Sequence, residues 1–192
     1  MNRPRTIPTL TSPRLALRPF GDSDVVELVA LLADRSIADG VLHLPYPYTE
    51  SDARDWIGTH AAGCAAGASL HWAIQLRDPL GSIGPPRLIG AIGLSLSGTH
   101  ERGELGYWIG VAHQGRGHAS EAARTVVDHA FERLGLHRVT AHHMAWNVGS
   151  GRVLEKAGLR REGVLREHIL KNGRFVDAVL YGALRADRAA SS

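Results

Sequence analysis

The feature that most constrains this chain is a continuous pattern of strand, glycine-rich turn and helix between residues 101 and 135. From Glu104 to Val111, side chains that crowd one face alternate with side chains that leave the other face clearer. This is the period of two expected of a β-strand. The crowded face holds Leu105, Tyr107, Ile109 and Val111, and the cleared face holds Glu104, Gly106, Trp108 and Gly110.

The turn after this strand, Gln114 to Ala119, contains two glycines where the chain must enter a helix. Apolar residues then follow at the three-four spacing of one buried helix face, up to Gly135. A helix start leaves backbone N–H groups unpaired, and together with the helix dipole they attract an anion. The pattern therefore predicts a phosphate or pyrophosphate site, although such turns also occur without a ligand.

Two known phosphate motifs fit this turn poorly. A Walker loop ends in Gly-Lys-Ser/Thr, whereas Gly117 is followed by His118 and Ala119. A dinucleotide fingerprint needs a third Gly or Ala where this chain has Ser120, and the next strand offers no acidic residue for a ribose.

The spacing of Gln114, Gly117 and Ala119, Gln-x-x-Gly-x-Ala, resembles the motif of the GNAT superfamily of acyl-CoA-dependent N-acetyltransferases. Further downstream, Leu-Gly-Leu-His-Arg-Val-Thr-Ala, then Asn147 with Ser150, then Glu162-Gly163, are similar to the branch of the ribosomal-protein-alanine N-acetyltransferases, RimJ and RimL. The resemblance covers nearly the whole chain and is strongest from Gly103 to Tyr181.

The rest of the chain predicts strands and helices of ordinary length. A strand near Arg14–Phe20 leads to a helix ending at Leu32, and Thr49 with Asp52 forms a capping box for another helix. Strands are expected at 69–76, 87–97 and 137–145, a short helix at 150–157, and a hairpin about Asn172-Gly173. Residues 36–48 are expected to be an irregular loop, and Pro79 to Pro86 a turn-rich connection.

Together these elements predict an α+β fold, a mixed and mostly antiparallel twisted sheet with helices on both faces. The strand at 137–145 must run parallel to the one ending at Val111, because a strand-helix-strand unit closes that way. The resemblance implies the acyl-CoA N-acyltransferase fold, in which these two strands part to admit the thiol arm of the coenzyme. A length of 192 residues, 44% of them hydrophobic, suits a single domain spanning 1–192, with its core at about 10–185 and frayed termini.

Composition argues against several other classes. Cys64 is the single cysteine, so an intramolecular disulfide and a cysteine zinc site are both excluded. The net charge is only +3 and the arginines are scattered, which is not the basic footprint of a nucleic-acid-binding protein. No apolar stretch suits a signal peptide or a membrane span, so we expect a cytoplasmic protein without a membrane partner.

The resemblance implies an acetyl-CoA site around the turn and no metal. It places the backbone N–H of Val111 against the thioester carbonyl, the Asn147 amide on the pantetheine arm, and the Ser150 hydroxyl where the leaving thiolate is protonated. As an alternative, Asn147 or Ser150 serves only as a helix cap. The implied coenzyme-binding residues are Ile109, Gly110, Val111, Gln114, Gly115, Arg116, Gly117, His118, Ala119, Asn147, Ser150 and Arg152.

The general base is assigned to Glu104, on the cleared face of the strand, where burial beside Trp108 is expected to raise its pKa. Rivals for this role are Glu101, His71 and His118. Candidate walls for the acceptor are Tyr46, Tyr48, Trp56 and Trp72.

The expected function is acetyl transfer from acetyl-CoA to a primary amine by direct attack in a ternary complex. The acceptor stays open between the N-terminus of a ribosomal protein and a small amine. Two other classes are also left open, a non-catalytic acyl-CoA-binding module and a nucleotide or nucleic-acid binder. Dimers are common in similar proteins, so a homodimer is a further expectation.

Overall fold

The computed structural model describes residues 6–77 and 87–189, which form one eight-stranded sheet with helices on both faces. The strand order is β1-β2-β3-β4-β5-β6-β8-β7. The strands are β1 Leu10–Thr11, β2 Leu15–Arg18, β3 Ser69–Leu76, β4 Leu88–Ser97, β5 Arg102–Ile109, β6 Arg138–Met144, β7 Arg160–Lys171 and β8 Arg174–Leu184.

The sheet is mostly antiparallel, as predicted. Of the seven neighbouring strand pairs in the described residues, only β5 with β6 is parallel. These two strands are joined by the helix α4, so they form the strand-helix-strand unit expected from the sequence.

Helices cover both faces of the sheet and bury two main apolar clusters. On one face α4 packs Ala123, Val127 and Phe131 against Leu94 and Leu105 of the sheet. On the other face α1 and α3 bury Leu28, Leu32 and Ala53 against Ala73. The helices are α1 Val25–Leu32, α2 Arg35–Gly40, α3 Glu50–Ala65, α4 His118–Glu132, α5 Val148–Lys156 and α6 Arg185–Ala189.

Local signals in the sequence are confirmed where they depend on near neighbours. Thr49 and Asp52 form the predicted capping box of α3, with Asp52 N–H donating to Thr49 Oγ1 at 3.2 Å and Thr49 N–H to Asp52 Oδ2 at 2.9 Å. The β7–β8 turn has positive φ at Asn172 and Gly173, 49° and 75°, as an Asn-Gly hairpin requires.

Other boundaries differ from the prediction. Residues 36–48 are not wholly irregular, since α2 occupies most of their first part and Asp34 Oδ1 caps it by accepting from Ser36 N–H at 2.9 Å. Strand β5 ends at Ile109, because residues 111–113 form a 3₁₀ turn. Neither the short β1 nor α6 was anticipated, and the predicted connection at Pro79–Pro86 lies outside the described residues.

No helix within residues 6–77 and 87–189 has both the length and the apolar character needed to cross a bilayer.

Candidate functional site

The parallel strands β5 and β6 separate soon after they begin. Their paired residues are Arg102 with Arg138, Gly103 with Val139, and Glu104 with Thr140. Beyond these three pairs β5 stays hydrogen-bonded to β4 and β6 to β8, so the carboxyl halves of the two strands lie apart. The separation agrees with the expectation from the sequence, and it opens a gap in the middle of the sheet.

The glycine-rich turn lies between the end of β5 and the start of α4. Gly115 and Gly117 both adopt positive φ, 72° and 81°, which a residue with a side chain adopts only with strain. In the part of the chain that the structure describes, no hydrogen bond or side-chain cap satisfies the backbone N–H groups of residues 115–120. The start of α4 thus presents a row of unpaired donors at the positive end of its dipole, as an anion site requires.

Two side chains from outside the motif hold this turn. Arg14, from the segment before β2, donates to Arg116 O at 2.9 Å and forms an ion pair with Glu121 Oε2 at 2.6 Å. Although burial raises the pKa of Glu121, hydrogen bonds from Ser12 and Arg14 more than offset it, so the pKa lies below its usual range. The contact between Arg14 and Glu121 was not predicted, because 107 residues separate them and no local spacing pattern connects them.

Gln114 and Gly110 have structural partners inside the protein. The Gln114 side-chain amide donates to Ile109 O at 2.9 Å, which ties the turn back to the strand end. Gly110 N–H donates to Ile89 O at 2.8 Å, and a Cβ on Gly110 would lie 2.6 Å from Leu31 Cδ2 of α1. Gly110 is therefore used for close packing between β5 and α1.

Val111 does not end the strand, contrary to the prediction, but begins the 3₁₀ turn with 46% of its surface exposed. Its backbone N–H has no hydrogen-bond partner among the described residues. Because Val111 comes two residues after Ile109, the last residue of β5, this free donor lies just beyond the open end of the strand.

A hydroxyl pair links β5 to α5. The Tyr107 hydroxyl lies 2.7 Å from Ser150 Oγ and donates to Ser150 O at 3.0 Å. Burial, partly offset by the Ser150 hydrogen bond, raises the pKa of Tyr107 to about 12. Tyr107 lies on the crowded face predicted for the strand, but its contact with Ser150 was not predicted, because it joins residues 43 positions apart on β5 and α5.

Asn147, and not Ser150, is the N-cap of α5. Its Oδ1 accepts from Ser150 N–H at 3.2 Å, so the helix begins at Val148, two residues earlier than predicted. Asn147 Nδ2 has no hydrogen bond among the described residues. It lies near Gly40 of α2, since a Cβ added to Gly40 would be 3.7 Å from it. Asn147 combines a cap with a free donor at the carboxyl end of β6.

The remaining predicted coenzyme residues divide between solvent and interior. Arg116 and Arg152 are exposed, and Ala119 packs partly against the core. The His118 side chain is buried, and burial together with nearby Arg14 lowers the pKa of its imidazole. The His118 ring therefore packs inside the protein, and only the backbone of this residue faces the turn.

The expected rise in the pKa of Glu104 was wrong. Its carboxylate Oε1 lies 2.8 Å from His142 Nδ1, and 52% of its side chain is exposed. The hydrogen bond from His142 lowers the pKa of Glu104 despite partial burial, and the same bond raises the pKa of His142. His142 was not among the residues considered from sequence, because no motif pairs positions 104 and 142.

The face opposite α4 is open beside Glu104. A Cβ on Gly106 would meet no atom within 4 Å, so the cleared face predicted for β5 is real at this position. The segment 41–44 bounds this space, since Val41 and Leu44 pack in the same cluster as Trp108 of β5, and Leu42 packs with Met144 of β6. Segment 41–44 therefore packs in clusters that include residues of both strands.

The hairpin between β7 and β8 fastens that segment. Lys171 Nζ donates to Ala38 O at 2.7 Å, Val41 O at 2.6 Å and Leu42 O at 3.4 Å, so it satisfies carbonyls where α2 ends. Asn172 Nδ2 also donates to Asp39 Oδ1 at 3.0 Å. The hairpin tip holds the end of α2 in place over the gap.

The candidate aromatic walls fall in different places. Trp72 is fully buried in the α4-side core and donates from Nε1 to Pro8 O at 2.7 Å, so its proposed role as an acceptor wall was wrong. Tyr48 is 8% exposed, whereas Tyr46 is 49% exposed. Trp56 packs edge-on to His60, with ring centroids 4.4 Å apart, and the His60 ring stacks on His71 at 4.6 Å.

Within the described ranges, no group of three or more His, Cys, Asp or Glu side chains is arranged to hold a metal ion.

A sheet parted between two parallel strands, with an anion-binding turn beside the gap, is the architecture of acyl-CoA N-acyltransferases. Residues 14–160 match the family model described as the Acetyltransferase (GNAT) domain. The chain belongs to this family and is an acyltransferase of the N-acetyltransferase type.

Proteins with similar sequences are also described as N-acetyltransferases. The uncharacterized N-acetyltransferase YoaA of Bacillus subtilis is 33% identical over 93% of this chain and 97% of its own length. The probable N-acetyltransferase YjcK of Bacillus subtilis is 43% identical over 53% of this chain, a match that spans only 57% of YjcK. The [ribosomal protein uS5]-alanine N-acetyltransferase of Escherichia coli is 34% identical over 40% of this chain and 39% of its own.

Two solved structures share the fold at lower identity. RimL, the ribosomal L7/L12 alpha-N-protein acetyltransferase in complex with coenzyme A, has a TM-score of 0.82 at 19% identity and covers 92% of this chain and 98% of its own. Spermidine N-acetyltransferase from Vibrio cholerae, in complex with CoA and spermine, has a TM-score of 0.78 at 22% identity, with coverage of 93% and 99%.

Proposed function

We propose that this protein transfers an acetyl group from acetyl-CoA to a primary amine by direct attack within a ternary complex. The separation of β5 and β6 after Glu104 and Thr140 is the observation that carries the proposal, because it gives a thioester a route into the sheet. The unpaired N–H groups of residues 115–120 lie at the α4 end of this route and suit the pyrophosphate.

Further donors suit the pantetheine arm and the thioester. The free N–H of Val111 is available to polarise the thioester carbonyl and to stabilise negative charge on its oxygen in the transition state. Asn147 Nδ2 is available to an amide carbonyl of the arm, while its Oδ1 continues to cap α5. The exposed Arg116 and Arg152 suit phosphate groups of the coenzyme.

The Tyr107 and Ser150 hydroxyls suit protonation of the leaving thiolate. Serine alone is a weak acid, but its hydroxyl is hydrogen-bonded to that of Tyr107, a residue of β5. The two hydroxyls together provide a donor at the thiolate and a second group that orients it.

Direct attack is favoured over a covalent enzyme intermediate. Cys64 is 2% exposed in the core, and burial raises the pKa of its thiol. A buried, protonated thiol is a poor nucleophile. We place the enzyme in the cytoplasm, where a single cysteine stays reduced and acetyl-CoA is available.

The acceptor class is a primary amine, either the N-terminus of a protein or a small-molecule amine. The E. coli relative named as a ribosomal uS5-alanine N-acetyltransferase favours the first. The fold neighbour named as a spermidine N-acetyltransferase favours the second. Both share the chemistry of an unprotonated nitrogen attacking a thioester.

Calorimetric titration with acetyl-CoA, CoA, ATP and NAD tests the coenzyme, and thiol release with alanyl and seryl peptides and spermine tests the transfer. We expect acetyl-CoA and CoA to bind and at least one amine to release CoA above the rate of hydrolysis. Binding without release for any amine would favour an acyl-CoA-binding module. Absence of heat and of a thermal shift with saturating acetyl-CoA would reject the proposal.

A further inference from the structure

The pair formed by Glu104 and His142 lies where the two parallel strands part. Glu104 is in the last paired position of β5, and His142 is two residues beyond the last paired position of β6. Their 2.8 Å contact bridges the start of the gap. The space over Gly106, the next residue of β5 on the same face, contains no atom within 4 Å of an added Cβ. The pair therefore borders free space at the centre of the sheet.

The carboxylate determines which imidazole nitrogen of His142 can act. A carboxylate only accepts hydrogen bonds, so Nδ1 must carry the proton in the contact with Glu104. In the neutral ring the other nitrogen, Nε2, then keeps its lone pair. No hydrogen bond engages Nε2 in the part of the chain that the structure describes. This arrangement, a base oriented by a second group, is the one that general-base catalysis uses.

The charge of Glu104 also adjusts the strength of this base. The hydrogen bond to Glu104 raises the pKa of His142 above its usual value, against the lowering effect of burial. Arg102 also favours the charged form of the Glu104 carboxylate, and the residue of β8 paired with His142 is the apolar Leu180. An imidazole with a raised pKa is a stronger acceptor for the proton of an alkyl ammonium.

The other candidates for the base are placed less well. His71 stacks on His60 beneath α3, and burial lowers its pKa. Glu101 lies before β5, at the paired end of the two strands, where its carbonyl accepts from His137 N–H at 2.7 Å. His118 is the first residue of α4, and its ring is buried on the coenzyme side.

We propose that His142 is the catalytic base of the reaction and that Glu104 is the residue that positions it. This inference rests on the proposed function and deepens it, because it requires an acceptor that arrives as an ammonium on the face opposite α4. An ammonium gains favourable interaction with the Glu104 carboxylate before it loses its proton. The acceptor is therefore a cationic primary amine.

The step balances as follows in protons and bonds. The ammonium gives one proton to Nε2 of His142, and its nitrogen lone pair then forms the C–N bond at the thioester carbonyl carbon. The C–S bond breaks and its electron pair leaves with sulphur. A second proton from nitrogen reaches the thiolate, with the Ser150 and Tyr107 hydroxyls as the nearest donors, and the third stays on the amide. The imidazolium releases its proton to solvent.

Nitrogen-15 NMR of the histidine rings tests the proposal without any acceptor. We expect neutral His142 to carry its proton on Nδ1, to titrate above the ordinary histidine value, and to titrate at lower pH in Glu104→Gln. Protonation of Nε2 in the neutral ring, or a titration that Glu104→Gln does not move, would overturn the proposal. His137 is exposed in the loop before β6, and its signal serves as the internal reference.

Kinetics with the best amine of the panel provide a second test. We expect His142→Gln to lower kcat/KM by about 100-fold or more. In the wild type, kcat/KM should rise with pH as His142 loses its proton, and in Glu104→Gln this rise should move to lower pH. A limb that belonged to the amine itself would not move.

The control is His137→Gln, which should keep the wild-type rate. Titration with acetyl-CoA distinguishes failure of the assignment of His142 as the base from failure of the proposed function. If His142→Gln binds acetyl-CoA and retains most of its rate, the assignment of the base fails and the proposed function stands. If the wild type binds no acetyl-CoA, the proposed function fails.

Discussion

The proposed coenzyme side and the proposed acceptor side of the gap are built in different ways. On the coenzyme side, the proposed pyrophosphate site is the contiguous turn of residues 114–119, and the groups that this turn offers are backbone N–H donors. On the acceptor side, Glu104, His142 and Lys171 come from three strands, and every group offered is a side chain or is held by one. One side is a single local motif, and the other is assembled by tertiary contacts.

This difference explains how each side can change. A backbone site depends on glycines that permit positive φ, so most side chains of the turn can vary without loss of donors. A side-chain site depends on the identity of each residue and on the packing that brings it into place. We therefore expect substitution of the turn glycines to abolish coenzyme binding as a whole, and substitutions on the acceptor side to leave coenzyme binding unchanged while they alter turnover, selectivity or stability.

The largest effect is expected for Gly117→Val. Gly117 has φ of 81°, and a Cβ there would lie 3.3 Å from Arg14 Nη2, so a branched side chain strains the turn and displaces the arginine that holds it. We expect the affinity for acetyl-CoA, measured by calorimetry, to fall about 100-fold or more, equivalent to at least 2.7 kcal/mol.

The matched control is Gly173→Val in the hairpin, where φ is 75° and an added Cβ meets nothing within 4 Å. Both substitutions carry a similar backbone cost, about 1–2 kcal/mol. If Gly173→Val weakened coenzyme binding as much as Gly117→Val, the effect would be general destabilisation and the contrast between the two sides would fail.

An intermediate effect is expected for His60, on the acceptor side. His60 is 4% exposed, and neither of its ring nitrogens has a hydrogen-bond partner among the described residues. Burial, with the nearby His71, lowers its pKa to about 4. In the unfolded chain His60 binds a proton near pH 6.5, whereas in the folded protein it does so only near pH 4. As the pH falls from about 6.5 to about 4, the free energy of unfolding therefore falls by about 1.4 kcal/mol per pH unit.

Replacing His60 by Phe removes that proton-uptake difference while keeping a ring of similar size beside Trp56. We expect denaturant titration to show that H60F is more stable than the wild type, with a margin that grows as the pH falls from 7 to 5. Burial also lowers the pKa of His71, so the stability of the variant still falls at acid pH, but less than that of the wild type. If the stability difference between H60F and the wild type did not change with pH, the lowered pKa of His60 would be contradicted.

The smallest effect is expected for Lys171→Met. The substitution keeps the aliphatic stem and removes the ammonium that donates to Ala38, Val41 and Leu42 carbonyls. We expect a loss of about 1–2 kcal/mol in unfolding free energy, an altered KM for the amine, and an unchanged Kd for acetyl-CoA. The control is Arg174→Met, because Arg174 is an exposed residue of the same hairpin. If Lys171→Met changed the Kd for acetyl-CoA as much as it changed the KM for the amine, the separation of the two sides would fail.

Much of the coenzyme side was predictable from local pattern. The strand, the turn with its two positive-φ glycines and the amphipathic α4 each depend on residues close in sequence. Of the two roles considered for Asn147, the cap is confirmed by its Oδ1, and the role on the pantetheine arm stays a prediction. The positioning of the turn by Arg14 was not predictable, because the partner Glu121 lies 107 residues away.

The acceptor side was predicted poorly for a physical reason. The pKa of Glu104 was expected to rise through burial beside Trp108, but its direction was decided by His142 on a strand that is adjacent only in space. Trp72 was a plausible wall because aromatic residues often line pockets, yet the alternation of β3 placed it in the opposite core. A side chain's neighbours across a sheet depend on strand order and register.

Local patterns predicted most of the strands and helices and the glycine-rich turn, because these depend on short-range periodicity and on glycine conformations that few residues allow. The class of coenzyme was implied by the resemblance of that turn to the GNAT motif. The three-dimensional structure was needed to show where β5 and β6 part, which histidine meets Glu104, and how the β7–β8 hairpin holds the end of α2. Those outcomes depend on packing between residues dozens of positions apart, and local spacing does not encode it.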